Sequence, residues 1–335
     1  MSNLQHYTEK YFRNFSIDFN KTINDLFANN VSDLKDIFRY HLGMDDDPEK
    51  QGKRVRPLLA LLCAEGSGGN WESAIPAAVA IELIHNFSLI HDDIEDNGMS
   101  RRAKETVWKK WGLAKGVNSG DAMFTCGFIA LNKMKGTIPS ETLIDVYKLL
   151  GTICLELTTG QQLDIDFETR EKITTADYFR MITGKTAALL SCCTQMGALI
   201  SGLGVEEQSR YAKFGKELGM AFQIYDDWLG IWGDPLVTGK SASSDLVEGK
   251  KSLPVIIGLK RSKRFRERWM RKAVTKEESA TLAKWLSEDK VEEAVMNEFR
   301  IWNSRALDTL NTLSCDIEIR SALLELAEKL LIRNR

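Results

Sequence analysis

Residues 81–97 read IELIHNFSLIHDDIEDN. Ile81, Ile84, Phe87 and Ile90 recur at three-residue spacing, the signature of a helix with an apolar face. Then four acids, Asp92, Asp93, Glu95 and Asp96, crowd its end. In a helix Asp92 and Asp96 lie four apart on one face, with His85 and Leu89 continuing the stripe towards the N-terminus. Carboxylates this close raise one another's pKa unless a cation sits between them. Hard oxygen ligands, without sulfur or a histidine pair, suit Mg2+, which shares its coordination shell with water and substrate phosphates.

The same spacing runs outward through the chain, across residues 17–41 and again across 319–332, while strand-like alternation is rare. The fold class is therefore all-α. Breaks are expected near 43–52, 66–72, 97–106, 135–140, 167–175, 202–207, 233–252 and 260–277. All are short or polar, and there is no repeat or Ser/Gly-rich linker, so a single domain over residues 1–335 is expected. With 45 basic and 47 acidic side chains, the chain lacks the basic excess that bulk nucleic-acid binding needs. Six cysteines, Cys63, Cys126, Cys154, Cys192, Cys193 and Cys315, sit in apolar runs without metal-ligand spacing. They read as reduced core residues of a cytoplasmic protein. The N-terminal residues show no secretory pattern. The uncharged stretch 186–205 contains three glycines, Ser191, Thr194, Gln195 and Ser201, and is expected to be a buried helix, not a membrane anchor. The basic run 260–272 (KRSKRFRERWMRK) is read as a solvated surface segment, with anion or membrane-surface attraction as the functional alternative.

A second acidic pair, Asp226–Asp227, interrupts the apolar stretch FQIYDDWLGIWGD (222–234), with Gln223 one turn before Asp227. Cations stand near both clusters: Lys53 and Arg56 before a helix-opening Pro57, Arg101 and Arg102 after the first cluster, Lys185 with Thr186, Lys240, and Lys250 with Lys251. This is more positive charge than one metal centre needs, and two polyanionic groups would account for it. No P-loop, GxGxxG fingerprint or nucleophile–base pair is present.

Taken in order, GKRVRPLL, LIHNFSLIHDDIEDNGMSRR, NSGD (118–121), GQQLDID (160–166), MITGKTAALL, FQIYDDWLGIWGD, TGKS and SDLVEGKKSLP resemble the trans-type prenyl diphosphate synthases, over roughly residues 50–256. The resemblance implies an all-α bundle around a deep cavity, usually a homodimer. It also implies condensation of isopentenyl diphosphate with an allylic diphosphate. Lys53, Arg56, His85 and Arg102 would hold the diphosphate of isopentenyl diphosphate. Asp92 and Asp96 would hold two Mg2+ ions on the allylic diphosphate; Asp226, with Asp227 beside it, would serve a third. Arg101, Lys185, Thr186, Gln223, Lys240 and Lys250 would grip the allylic diphosphate.

The chemistry is consistent with that assignment, because ionising an allylic C–O bond requires the leaving diphosphate's charge to be neutralised in a water-poor cavity. Two departures stand out: Gly230 occupies the third acidic position of the second motif, and Ala103 follows the paired arginines where the family often has glycine. A prenyl unit is about one helical turn long, ~5 Å, so a chain anchored at Asp92 would pass Ser88 and then Ile84. Bulky Phe87 beside small Ser88 resembles the enzymes that stop near C20, which makes geranylgeranyl diphosphate the expected product. Phe124 and Phe128 are the alternative floor. A class I terpene cyclase and a longer-chain polyprenyl diphosphate synthase are the alternative enzymes. A non-catalytic helical subunit is the third reading, against which the intact aspartates speak.

Overall fold

The computed structural model describes residues 2–28, 33–46, 52, 54–235, 243–271 and 273–331. The described residues form α1 (Asn3–Leu26), α2 (Leu34–Leu42), α3 (Val55–Gly66), α4 (Ile75–Glu95), α5 (Val107–Trp111), α6 (Leu113–Ala130), α7 (Ser140–Thr169) and α8 (Thr175–Ile182). After these come α9 (Ala188–Ile200), α10 (Val205–Trp232), α11 (Ser244–Val247), α12 (Leu253–Arg261), α13 (Lys263–Trp269), α14 (Lys276–Glu288), α15 (Val291–Thr312) and α16 (Ile317–Leu331). Two-residue strands β1 (Ser100–Arg101) and β2 (Lys104–Glu105) pair antiparallel. The fold is all-α, as the periodicity requires. The run 17–41 divides between α1 and α2. The break expected at 260–277 contains a helix of its own, α13.

Two compact units result. The first comprises residues 1–154, 192–211 and 314–323; the second comprises 155–191, 212–313 and 324–335. In the first unit α4 is the core: Ala77, Ala78, Ala80, Ile81, Leu83 and Ile84 are fully buried. It packs closely on α6 because α6 turns glycines towards it. A Cβ on Gly127 would come within 2.9 Å of Ile84 Cδ1, and one on Gly120 within 2.1 Å of the His91 ring. The segment Trp71–Glu95 is long and apolar enough to cross a membrane, but 67% of its apolar window is buried inside the protein, as befits a core helix. The cysteines are free, and all but half-buried Cys315 are buried.

In the second unit α8 and α9 are joined by a π-helical turn, Thr183–Ala187, which carries Lys185 and Thr186. The wider π turn re-aims side chains that a regular helix would place elsewhere, and such turns concentrate at functional sites. Gly160 of α7 and Gly184 of this turn touch through their backbones: a Cβ on Gly160 would meet Lys185 N at 2.1 Å and the Gly184 carbonyl carbon at 2.5 Å. Further along, three basic residues of the 260–272 run are structural. Arg264 pairs with Asp289 (2.9 Å) and Glu288 (2.8 Å). Arg268 pairs with Glu278 (2.6 Å), and Arg261 donates to the Lys290 carbonyl (3.0 Å). These contacts hold α12 and α13 to α14 and the turn after it, while Lys260, Lys263, Arg266 and Arg271 are exposed.

The Gly160–Gly184 contact leaves no side chain to swing away, only backbone. Gly160→Ala is therefore expected to destabilise the protein by about 3 kcal/mol, at the upper end of ordinary overpacking. Urea unfolding measures it; a loss below about 1 kcal/mol would mean that the two segments separate freely.

Candidate active site

In the first unit the acids of α4 stand at its C-terminal end, with Asp96 as the C-cap. This is the negative pole of the helix dipole, where an exposed carboxylate costs roughly 0.3–1 kcal/mol. Positive charge meets it from the β1–β2 hairpin. Arg101 grips buried Asp93, with Nε at 3.0 and 2.9 Å from its two oxygens and Nη2 at 2.8 Å from one of them, and reaches towards Asp92 at 3.6 Å. Burial pushes the Asp93 carboxyl above its ordinary range and the Arg101 contact opposes that rise. Asp93, which sequence reasoning left without a role, is the residue that orients Arg101.

The hairpin turn consists of two residues, Arg102 and Ala103, with φ of +51° and +60°. Positive φ at both central positions is the mark of a type I′ turn, whose twist suits a tight hairpin. The turn explains why glycine suits position 103, and it sets Arg102 out with no protein partner among the described residues. A Cβ on Gly52 would lie 2.9 Å from Arg102 Nη2, so the glycine before Lys53 leaves room for the guanidinium.

Neighbouring arginines divide their tasks. Arg54 is structural: it bonds buried Glu82 (2.7 Å) and the Leu42 carbonyl (3.0 Å) and stacks on Phe19. Arg56 instead points Nη1 at His85 Nε2, 3.1 Å away, while its buried Nε has no partner. Burial, and then the charges of Arg56, Arg102 and Arg101, hold His85 well below its ordinary pKa, so the ring is neutral and accepts from Arg56. An unsatisfied buried guanidinium N–H beside a neutral imidazole is a preformed anion receptor.

Below the carboxylates, Phe87 stacks edge-to-face on Phe124 (5.0 Å), which meets Phe128 (5.2 Å). The two alternative floors of the sequence reading are thus one aromatic cluster. Ile84 is fully buried beside Gly127, and the Ser88 hydroxyl donates to the His85 carbonyl (2.7 Å).

In the second unit Lys185 pairs with Asp164 of α7 (2.6 Å), a partner that the Gly160–Gly184 contact brings within reach. Thr186 donates to Gln223 (2.7 Å), Gln223 donates to Asp227 (2.9 Å), and Asp227 also accepts from the Tyr178 hydroxyl (2.8 Å) and the Leu253 N–H (3.0 Å). Both oxygens of buried Asp227 are therefore engaged by protein donors. Asp227, expected among the metal-site residues, locks the register of α8, α10 and α12 through these contacts. Thr186 and Gln223 belong to the same buried chain, so the structure gives them partners other than a diphosphate. Tyr178, unremarked in the sequence, anchors α8 to Asp227 just before the π turn that carries Lys185.

Asp226 is half-buried one residue earlier. Near it Lys250 is surrounded by acids: burial pulls its pKa down, but Asp245, Asp227, Asp226 and Asp164 outweigh this and hold the ammonium above its usual value. Gly249 makes that placement possible, since its φ of +70° closes α11 and lets Lys250 N–H return to the Asp245 carbonyl at 2.9 Å. Lys251 caps α7, donating to the carbonyls of Phe167 (2.5 Å) and Arg170 (2.7 Å). The departure at Gly230 also finds its reason: a Cβ there would meet the buried Asp245 carboxylate at 2.4 Å. Lys53 and Lys240 lie outside the described residues.

Comparison with known proteins gives the arrangement its kinship. The family described as Polyprenyl synthetase matches residues 41–289. A (2E,6E)-farnesyl diphosphate synthase of Mycobacterium bovis is 38% identical over 227 residues, 66% of this chain. That match spans 62% of the relative's own length. A geranylgeranyl diphosphate synthase of Sulfolobus acidocaldarius is 34% identical over 333 residues, covering 97% of this chain and 99% of that one. The crystal structure of a geranylgeranyl pyrophosphate synthetase from Pyrococcus horikoshii superposes with a TM-score of 0.88 at 30% identity, over 99% of this chain and 98% of that one. From its motifs, its helices and these relatives, the chain belongs to the polyprenyl synthetase family.

Proposed function

We propose that this protein is a trans-prenyltransferase that condenses isopentenyl diphosphate with an allylic diphosphate and makes geranylgeranyl diphosphate. The observation that carries the reading is the presence of two unlike groups: the Arg56–His85 pair with its orphaned guanidinium N–H, which suits an anion directly, and the carboxylates at the negative end of α4, which would take an anion only through a cation held between them. A cyclase has one diphosphate to hold and no use for the first.

Arg56, His85 and Arg102, with Lys53, bind the diphosphate of isopentenyl diphosphate and fix its double bond. Asp92, Asp96 and Asp226 offer hard oxygen donors suited to Mg2+, and crowding at a helix's negative end is the setting in which such donors gain from a cation. Three bound Mg2+ ions would neutralise the leaving diphosphate. Arg101, Lys185, Lys240 and Lys250 orient that diphosphate and stabilise its growing charge as the C–O bond breaks. Thr186, Gln223 and Asp227 position this set from behind. The C4 carbon of isopentenyl diphosphate then attacks the allylic cation and one proton leaves.

Both units work, in this reading, as one catalytic domain, with Phe87, Phe124 and Phe128 limiting the product near C20. Leu113, Val117, Ile129 and Ile144 are exposed apolar residues, and a homodimer is proposed. Free cysteines fit a reducing compartment, and the cytoplasm is the proposed location.

With Mg2+, labelled isopentenyl diphosphate and dimethylallyl, geranyl or farnesyl diphosphate in turn, the dephosphorylated product is expected to be a C20 alcohol. Consumption of an allylic diphosphate to a hydrocarbon, without incorporation of label, would decide for the cyclase. Phe87→Ala should lengthen the product by one or more C5 units; unchanged length would move the floor away from the aromatic cluster. Arg102→Ala should raise KM for isopentenyl diphosphate by roughly ten- to hundredfold, the worth of a charged hydrogen bond, and leave the allylic KM in place. Lys185→Ala should do the reverse, and a common shift in both constants would refute the division of roles.

A further inference from the structure

Behind the hairpin is a cavity of about 20 Å3, lined by Tyr40, His41, Asp46, Asp93, Arg101, Arg102 and Lys104 among others, with room for one water or one phosphoryl oxygen. Its charges are mostly cancelled in pairs: Lys104 binds Asp46, and Arg101 binds Asp93. Arg102 is the cation left over, and exposed Glu105 at the rim is the remaining acid.

His41, the penultimate residue of α2, faces this group. The backbone of Asn86 in α4 lies close enough to the ring to favour a proton on it. Ring nitrogen Nε2 is buried and has no hydrogen-bond partner among the described residues. The Asn86 contact favours a neutral ring that carries its proton on Nδ1, which leaves Nε2 as a bare lone pair facing arginines. A buried acceptor without a donor costs about 1–3 kcal/mol, and such groups in native proteins call for a reason. Neither the motifs nor the resemblance assigns His41 a role.

We propose that His41 is a further ligand of the isopentenyl diphosphate head group, holding one phosphoryl oxygen through a proton shared with Nε2. The inference rests on the reading that Arg56, His85 and Arg102 receive that diphosphate. The proton comes from solvent or from the phosphoryl group and stays in the N–H–O bridge; no covalent bond changes. Without anion the ring is kept neutral by burial, then by Arg101, Arg102 and Arg54, down to a pKa of about 3. Nearby His85 is neutral for the same reasons, and His41 itself contributes to its depression. A bound polyanion reverses the sign of that field, so the ring's affinity for a proton rises with the ligand in place. Binding is then linked to proton uptake, and affinity falls as pH rises through the bound-state pKa.

His41→Asn is the decisive variant, because its amide N–H keeps the Asn86 contact while Nε2 is lost; His41→Phe removes both. In His41→Asn, KM for isopentenyl diphosphate at pH 7 should rise about tenfold, with kcat and the allylic KM unchanged. The extra dependence of that KM on pH should disappear relative to the unaltered enzyme. Titration calorimetry of isopentenyl diphosphate in Tris and in Hepes should show proton uptake that the variant loses in part. An unchanged KM and unchanged proton uptake in His41→Asn would overturn the proposal, as would an effect confined to His41→Phe or shared equally by both substrates. Arg102→Ala run in parallel separates the two failures. If it too leaves the isopentenyl KM unchanged, the head-group site itself is misread and the His41 proposal falls with it.

Discussion

Carboxylates gathered where a helix dipole is already negative are the constraint around which this molecule is arranged. Asp92 and Asp96 end α4 against the local field. Relief comes from elsewhere in the chain, by way of a hairpin whose two turn residues adopt left-handed backbone and whose first arginine is fixed by the one buried acid of the cluster. Strain, burial and charge thus occur together at the hairpin, which is typical of positions that structure alone would not select.

The second unit solves a related problem differently. Its acids lie within a helix, and the surrounding donors are sorted so that each oxygen of Asp227 is satisfied while Lys250 faces four carboxylates. Ordering a lysine this way depends on small residues. Gly160 and Gly184 bring two backbones into contact, and Gly249 turns the chain back after α11. Glycine acts here less as flexibility than as absence of a side chain.

Much of this was legible in the sequence because the relevant signals are local. Apolar spacing of three and four determines the helices, and Asp92 with Asp96, or Lys185 with Thr186, declare themselves by neighbours within a turn. What the sequence concealed depends on contacts between distant residues. Nothing local separates Arg54, which supports Leu42 and Glu82, from Arg56, which meets His85. Asp226 and Asp227 are adjacent and chemically alike, yet the first is half-buried while the second is buried and accepts from three donors. The π turn is equally silent, since Gly184 in TGKTA weakens a helix without declaring that its turn widens.

Gly230 ties the second acidic motif to the segment that follows it. Because the Asp245 carboxylate occupies the volume that a side chain at 230 would fill, the two positions behave as one locus. An aspartate introduced at 230 alone would collide with a buried charge of its own sign. Loss of Asp245 alone would deprive Lys250 of its first counter-charge. The third acidic position of the motif is thus coupled, through Asp245, to the lysine twenty residues further along the chain.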